Sequence, residues 1–129
     1  MARPTRQLLL LAGLVIVAAA LWTQNARVSA ARAQYDVRGT LAANEVVLFT
    51  TTWCGYCKRL QRWLDASGVP YRNLDIESSE AGRWGHEAVI GRFGGVPVTV
   101  IGKDVFAGLA TEKIRKRLEK SGYSMRGDP

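Results

Sequence analysis

Hydrophobic and polar positions divide this chain into an apolar leader, a polar stretch and a region of alternating short elements. "LLLLAGLVIVAAALW", Leu8 to Trp22, runs fifteen residues without a charge. That is shorter than the roughly 20 residues of a membrane-spanning helix and fits the core of an export signal, about 7–15 residues. From Thr23 to about Asn44 the chain is polar and alanine-rich with no sustained apolar period, and it reads as a linker. "EVVLFT", Glu45 to Thr50, is apolar on both faces, as a central strand covered by helices would be. Leu60, Trp63 and Leu64 then recur at helical spacing, and Gly68 with Pro70 ends that helix. "YRNLDI", Tyr71 to Ile76, predicts a second strand. "SSEAGRWGHEAVIG" predicts a helix capped by Ser78 or Ser79, with Ala81, Trp84, Ala88 and Val89 on its inner face. "VPVTVIG" and "VFA", joined at Gly102-Lys103-Asp104, predict a hairpin ending at Gly108. Thr111 is placed to cap a last helix that turns Ile114 and Leu118 inward.

The predicted order is therefore β-α-β-α-β-β-α from Glu45 to about Ser121: an α/β domain with a four-stranded mixed sheet flanked by helices. The boundaries that follow are 1–33 for a signal peptide or membrane anchor, 34–44 for a linker, 45–121 for the domain and 122–129 for a C-terminal tail.

Length and charge refine this picture in two places. A chain of 129 residues holds one ordinary domain. Of the net charge of +7, +4 comes from Arg3, Arg6, Arg27 and Arg32 in the first 33 residues, so the domain itself is only mildly basic. No recognisable nucleic-acid module interleaves aromatics with its cations, and "KIRKRLEK", Lys113 to Lys120, reads as a solvated helix face. The leader predicts export to the periplasmic side of the membrane. Val28-Ser29-Ala30 and Ala31-Arg32-Ala33 offer small residues for cleavage, while Trp22 suits an interfacial anchor, so soluble and anchored forms both stand. Arg27, Arg32 and Arg38 nearly balance Arg3, Arg6 and the amino terminus, which leaves orientation open.

The chemistry concentrates in "TTWCGYCKRL", which holds both cysteines of the chain, Cys54 and Cys57, between a strand and a helix. Free N–H groups and the positive dipole end at a helix N-terminus stabilise a thiolate, and thiols in such motifs fall from about 8.5 to roughly 3.5–7.5. Cys54, at the helix start, is the expected nucleophile. Cys57 is the expected resolving thiol. Lys58 adds a positive potential for the thiolate, whereas Arg59 and Arg62 read as ordinary exposed helix residues. Trp53 offers a flat contact surface and, with Tyr56, joins the substrate-binding set. Other uses of the pair remain in view. A closed zinc site wants four ligands and the chain supplies two cysteines and His86, itself read as a solvent-facing helix residue. Soft Cu(I) also selects thiolates, so an exported copper-handling module is the alternative function, although the methionines, Met1 and Met125, lie far from the motif in sequence. No metal ligands are assigned. A purely structural disulfide would close too small a loop to stabilise much by chain entropy.

"WCGYC" and the Val96-Pro97 pair in "GGVPVTVIG" resemble the glutaredoxin branch of the thioredoxin superfamily over residues 45 to about 121. The resemblance implies a thioredoxin-like fold and thiol–disulfide oxidoreductase activity with no bound cofactor beyond a redox-active Cys54–Cys57 disulfide. It implies a cis peptide before Pro97, that proline packed beside the disulfide, and a Val96 backbone that pairs with an incoming peptide or glutathione like an added strand. Disulfide-containing proteins are the implied substrates. Glutathione-using members commonly carry a lysine, a threonine and a Gly-Gly-acidic run where this chain has Thr51, Gly95 and Ala107-Gly108 followed by Leu109-Ala110. "VPV" with a single glycine is also similar to redoxins that take electrons from thioredoxin reductase, so the resemblance leaves glutathione and a reductase-type donor both open.

Overall fold

A computed structural model describes residues 4–129. Strand β1 (Val46–Thr50) is buried at every position, which is why it reads as apolar on both faces. It pairs in parallel with β2 (Arg72–Asp75) and antiparallel with β3 (Val98–Ile101), and β3 pairs antiparallel with β4 (Asp104–Ala107). The sheet order is β2-β1-β3-β4. Helices α2 (Gly55–Ala66), α3 (Glu80–Ile90) and α4 (Thr111–Lys120) complete the expected β-α-β-α-β-β-α order.

Alternation along β1 sends its side chains to two cores. Val46 and Leu48 meet Leu60, Trp63 and Leu64 of α2, Ile114 and Leu118 of α4, and Ile101. Val47 and Phe49 face the other way, with Val98 and Val100 and the half-buried Val89 and Ile90 of α3. Helix α2 stops where the sequence places its breaker: Gly68 adopts φ +68, and the N–H groups of Gly68 and Val69 bond back to the carbonyls of Asp65 and Leu64. Helix α4 differs in detail, because Ala110 occupies its N-cap without a side-chain bond and Thr111 is its first helical residue.

The N-terminal stretch departs from the expected layout. Helix α1 (Pro4–Tyr35) continues through the alanine-rich segment that reads as linker, since alanine, arginine and glutamine are good helix formers without any apolar period. Its Thr5–Tyr35 portion is long and apolar enough to cross a membrane. At 1.5 Å per residue it extends about 45 Å, beyond the roughly 30 Å hydrocarbon core of a bilayer. Arg3 lies outside the described residues. The chain divides at Gln34/Tyr35 into two compact units. Within the second, residues 36–44 are docked rather than free: Val37 is buried with Leu41 against the sheet, and Arg38 bonds the Ala88 carbonyl at 3.0 Å. Arg38 also grips Asp36, whose carboxyl is held below its ordinary value by that side-chain hydrogen bond.

Residues 122–129 are docked as well. Tyr123 and Met125 pack on the core, the Trp63 indole N–H donates to the Gly127 carbonyl at 2.9 Å, and Arg115 donates to the same carbonyl and to Asp128.

Helix α3 turns Val89 toward the sheet as expected, but its most buried positions are others. Gly82, Gly85 and His86 are its buried residues, while Ala81 and Trp84 are half-buried. The glycines let the helix lie close: a Cβ on Gly82 would run into the Asp75 carbonyl, and one on Gly85 would come within 2.9 Å of the Phe49 ring and 3.0 Å of the Tyr35 carbonyl. Gly82→Ala therefore destabilises by about 1–3 kcal/mol through overpacking, although helix propensity alone would make it a gain of about 1 kcal/mol. Urea unfolding of the variant beside wild type decides between the two signs, and a stabilised variant would mean that α3 stands off the sheet.

Candidate active site

The antiparallel register Phe49↔Val98 brings the C-terminal end of β1 and the start of β3 to the same end of the sheet. The turn that leaves β1 carries the cysteines, and the segment that enters β3 carries Val96 and Pro97. Topology alone thus joins two motifs forty residues apart.

Cys54 is the N-cap of α2, with extended backbone angles of φ −75 and ψ 108. Its Sγ accepts the Cys57 N–H at 3.1 Å, while its carbonyl accepts the Lys58 N–H. A sulfur therefore occupies the place where a serine or aspartate oxygen usually satisfies the first turn of a helix. Cys54 and Cys57 are joined by a disulfide, with Cα atoms 5.2 Å apart. Both are buried, Cys54 at 5% exposure and Cys57 at 1%.

Cys54 lines a groove of about 490 Å³ together with Thr51, Trp53, Tyr56, Glu77 and Val96, and Cys57 does not line it. The Val96–Pro97 peptide is cis and Pro97 is fully buried, with its carbonyl accepting the Gly108 N–H at 2.8 Å. Of the residues expected at the site, Cys54, Trp53, Tyr56 and Val96 come together in the groove. Pro97, buried and next after Val96 in sequence, and Lys58 do not line it; Lys58, with Tyr56, Arg59 and Arg62, lines a neighbouring hollow on the exposed side of α2.

Outside α1, the exposed large apolar side chains among the described residues are Trp53, Tyr56 and Phe93. Two line the groove and the third adjoins its Gly94. Trp53 is tethered through its indole N–H to both carboxylate oxygens of Glu77, each at 3.1 Å. Glu77 is in turn placed by a turn in which Asp75 Oδ1 accepts the N–H groups of Glu77 and Ser78 at 2.8 and 2.9 Å. Those backbone bonds, Ser78 first, hold the Asp75 carboxyl below the ordinary value of 3.8. The Thr51 hydroxyl is buried with no hydrogen-bond partner among the described residues.

Three features of the site escape a reading of the sequence. Glu77 belongs to a stretch with no pattern of its own, and only its contact with Trp53 shows its place. Phe93 is a lone aromatic in a loop. His86 is the clearest correction: it is buried at 3% exposure rather than facing solvent, with Nε2 2.9 Å from the Gly95 carbonyl. The nearby signals were the glycines of α3, which mark a close approach, and Gly94-Gly95 running directly into Val96.

The mixed sheet with flanking helices, carrying a C-x-x-C disulfide at the first turn of α2 and a cis-proline at the entry to β3, has the thioredoxin-like fold. Residues 46–106 match the glutaredoxin family model. Over these residues the chain is similar to the glutaredoxin family.

A Mycobacterium tuberculosis protein (strain H37Rv) that carries the glutaredoxin name is 44% identical over 36 residues, 28% of this chain and 43% of the relative. The chain thus spans less than half the length of that curated relative. Among solved structures, the holo form of glutaredoxin C1 from Populus tremula × tremuloides shares the fold at 22% identity, with a TM-score of 0.56 over 77% of this chain and 96% of that one. A buckwheat glutaredoxin–glutathione complex does so at 22% identity, with a TM-score of 0.55 over 72% and 87%. Among the described residues no three His, Cys, Asp or Glu side chains gather to hold a metal ion.

Proposed function

We propose that the domain is a thiol–disulfide oxidoreductase in which Cys54 attacks and Cys57 resolves. The observation that carries this reading is the Cys57 N–H directed at Cys54 Sγ, 3.1 Å away, at the start of a twelve-residue helix. In the reduced state that donor and the helix dipole favour the Cys54 thiolate over the thiol. The Cys54 thiolate attacks one sulfur of a substrate disulfide; a bond forms from Cys54 to that sulfur, and the second substrate sulfur leaves as a thiolate that takes up a proton. The Cys57 thiolate then attacks Cys54 Sγ, forming the Cys54–Cys57 disulfide and expelling the remaining substrate thiolate. Two electrons pass from the dithiol to the substrate. A thiol donor restores the dithiol by the same exchange.

The substrates proposed are disulfide-containing polypeptides. The groove beside Cys54 supports this, with Val96 on one wall and the aromatic surfaces of Trp53 and Tyr56 on the other. The donor is glutathione, as the bound ligand of the buckwheat relative suggests, or a protein of the thioredoxin-reductase type. The groove favours the second, because Glu77 is its charged lining residue and its carboxylate opposes an anionic thiol such as glutathione. Cys57→Ser keeps a nucleophile without its resolver and is expected to accumulate mixed disulfides with substrate proteins on non-reducing gels, whereas Cys54→Ser accumulates none. Equal trapping by both variants contradicts the assignment.

The length and apolar character of α1 support an exported domain, tethered by α1 or released from it by cleavage. The Cys54–Cys57 disulfide suits a compartment where disulfides persist. Cell fractionation with N-terminal sequencing is the check. An intact Met1 in the membrane fraction marks a tether, a start near Ala31 or Gln34 marks release, and a full-length soluble cytosolic protein rules out export.

A further inference from the structure

We propose that His86 is a positioning residue for substrate: its imidazole holds the Gly95 carbonyl and thereby fixes the Gly94–Val96 wall of the groove. The proposal rests on the reading that substrate backbone lies along Val96. A carbonyl oxygen only accepts, so the His86 nitrogen 2.9 Å from it, Nε2, carries the hydrogen. The direction of that donor is set by packing. The ring is buried and stands edge-on to Phe49 of β1, with centroids 5.9 Å apart and planes at 71°. Gly82 and Gly85, one turn before and one residue before His86, leave no room for side chains against the Asp75 carbonyl and the Phe49 ring, and so bring this stretch of α3 close enough for the ring to reach the loop.

The loop needs such a tether. Gly94 and Gly95 are adjacent glycines, which lose more conformational freedom on ordering than any other residue. Gly95 is exposed, and the loop runs on into half-buried Val96 and fully buried Pro97. The Gly94 N–H bonds Gly91 within the same turn at 3.2 Å, whereas the His86 bond joins the loop to a helix packed on the sheet. His86 acts through Gly95 and does not touch the reacting sulfurs. Its loss therefore weakens substrate capture and leaves the chemistry at Cys54 unaltered.

The test uses full-length protein in detergent micelles, and because His86 is the only histidine of the chain its ring signals need no assignment. Nitrogen-15 NMR of wild type is expected to show the Nε2–H tautomer with slow proton exchange; an Nδ1–H tautomer overturns the tether whatever the variants do. In kinetics with a peptide disulfide, His86→Phe is expected to raise KM by about 2- to 10-fold, the range for loss of one buried hydrogen bond. Its kcat and the rate of Cys54 alkylation by iodoacetamide stay at wild-type values. His86→Gln, whose amide nitrogen can take the place of Nε2, is expected to restore KM. An unchanged KM in folded His86→Phe overturns the proposal. So does a rise that glutamine does not rescue and that alkylation shares, since that pattern reports lost packing. Failure of wild type to turn over peptide disulfides at all would instead remove the oxidoreductase reading, while the tautomer measurement would still report on the tether.

Discussion

One hydrogen bond, from the Cys57 backbone N–H to Cys54 Sγ, ties the fold of this domain to its chemistry. A helix begins with N–H groups that have no partner within the helix, and most sequences satisfy one of them with an oxygen. Here the acceptor is sulfur, so the capping atom of the helix is also the atom proposed to react. In the oxidised state the bond is an ordinary weak cap. With an ionised Cys54 it becomes a charge-assisted one, reinforced by the dipole of a helix whose other face is anchored by Leu60, Trp63 and Leu64.

The rest of the structure fixes the place of that first turn beside the groove. The parallel crossover from β1 to β2 needs a helix, and that helix is α2. The antiparallel pairing of β1 with β3 then returns the chain to the end where α2 begins, placing the cis peptide at Val96–Pro97 there. Helix α3 covers the opposite sheet face from α2, and through His86 it reaches the loop that forms the other wall. Trp53, joined to Glu77 beyond β2, completes the groove. Residues from the turn after β1, the turn after β2 and the entry to β3 thus converge on Cys54, and the buried face of Cys57 stays closed.

The elements from Glu45 to Ser121 were largely legible because each is short and announced by local signals: a doubly apolar strand, an i, i+3, i+4 stripe, a glycine-proline stop, a hairpin turn. The cysteine spacing and the Val-Pro pair were legible for the same reason. What was hidden depends on contacts between distant residues. Helical continuation of α1 to Tyr35 rests on residue propensity without amphipathic period. Docking of Val37 and Leu41, and of Tyr123, Met125 and Gly127, follows from grooves that exist only in the assembled sheet-and-helix layers. The hydrophobic pattern of α3 shows Val89 but not the buried glycines, which carry no hydrophobic signal although they mark the close approach to the sheet. His86 reads as solvent-facing for a related reason: its partner is a backbone carbonyl, which no side-chain pattern reveals.

The central claim is that the first turn of α2 turns Cys54 into a thiolate nucleophile near neutral pH. The direct measurement is the rate of iodoacetamide alkylation of the reduced protein across pH, with the modified residue identified by mass spectrometry. The account predicts that Cys54 reacts first and that its rate rises with a midpoint well below the ordinary thiol value of about 8.5. A midpoint at or above that value, or earlier modification of Cys57, would contradict it.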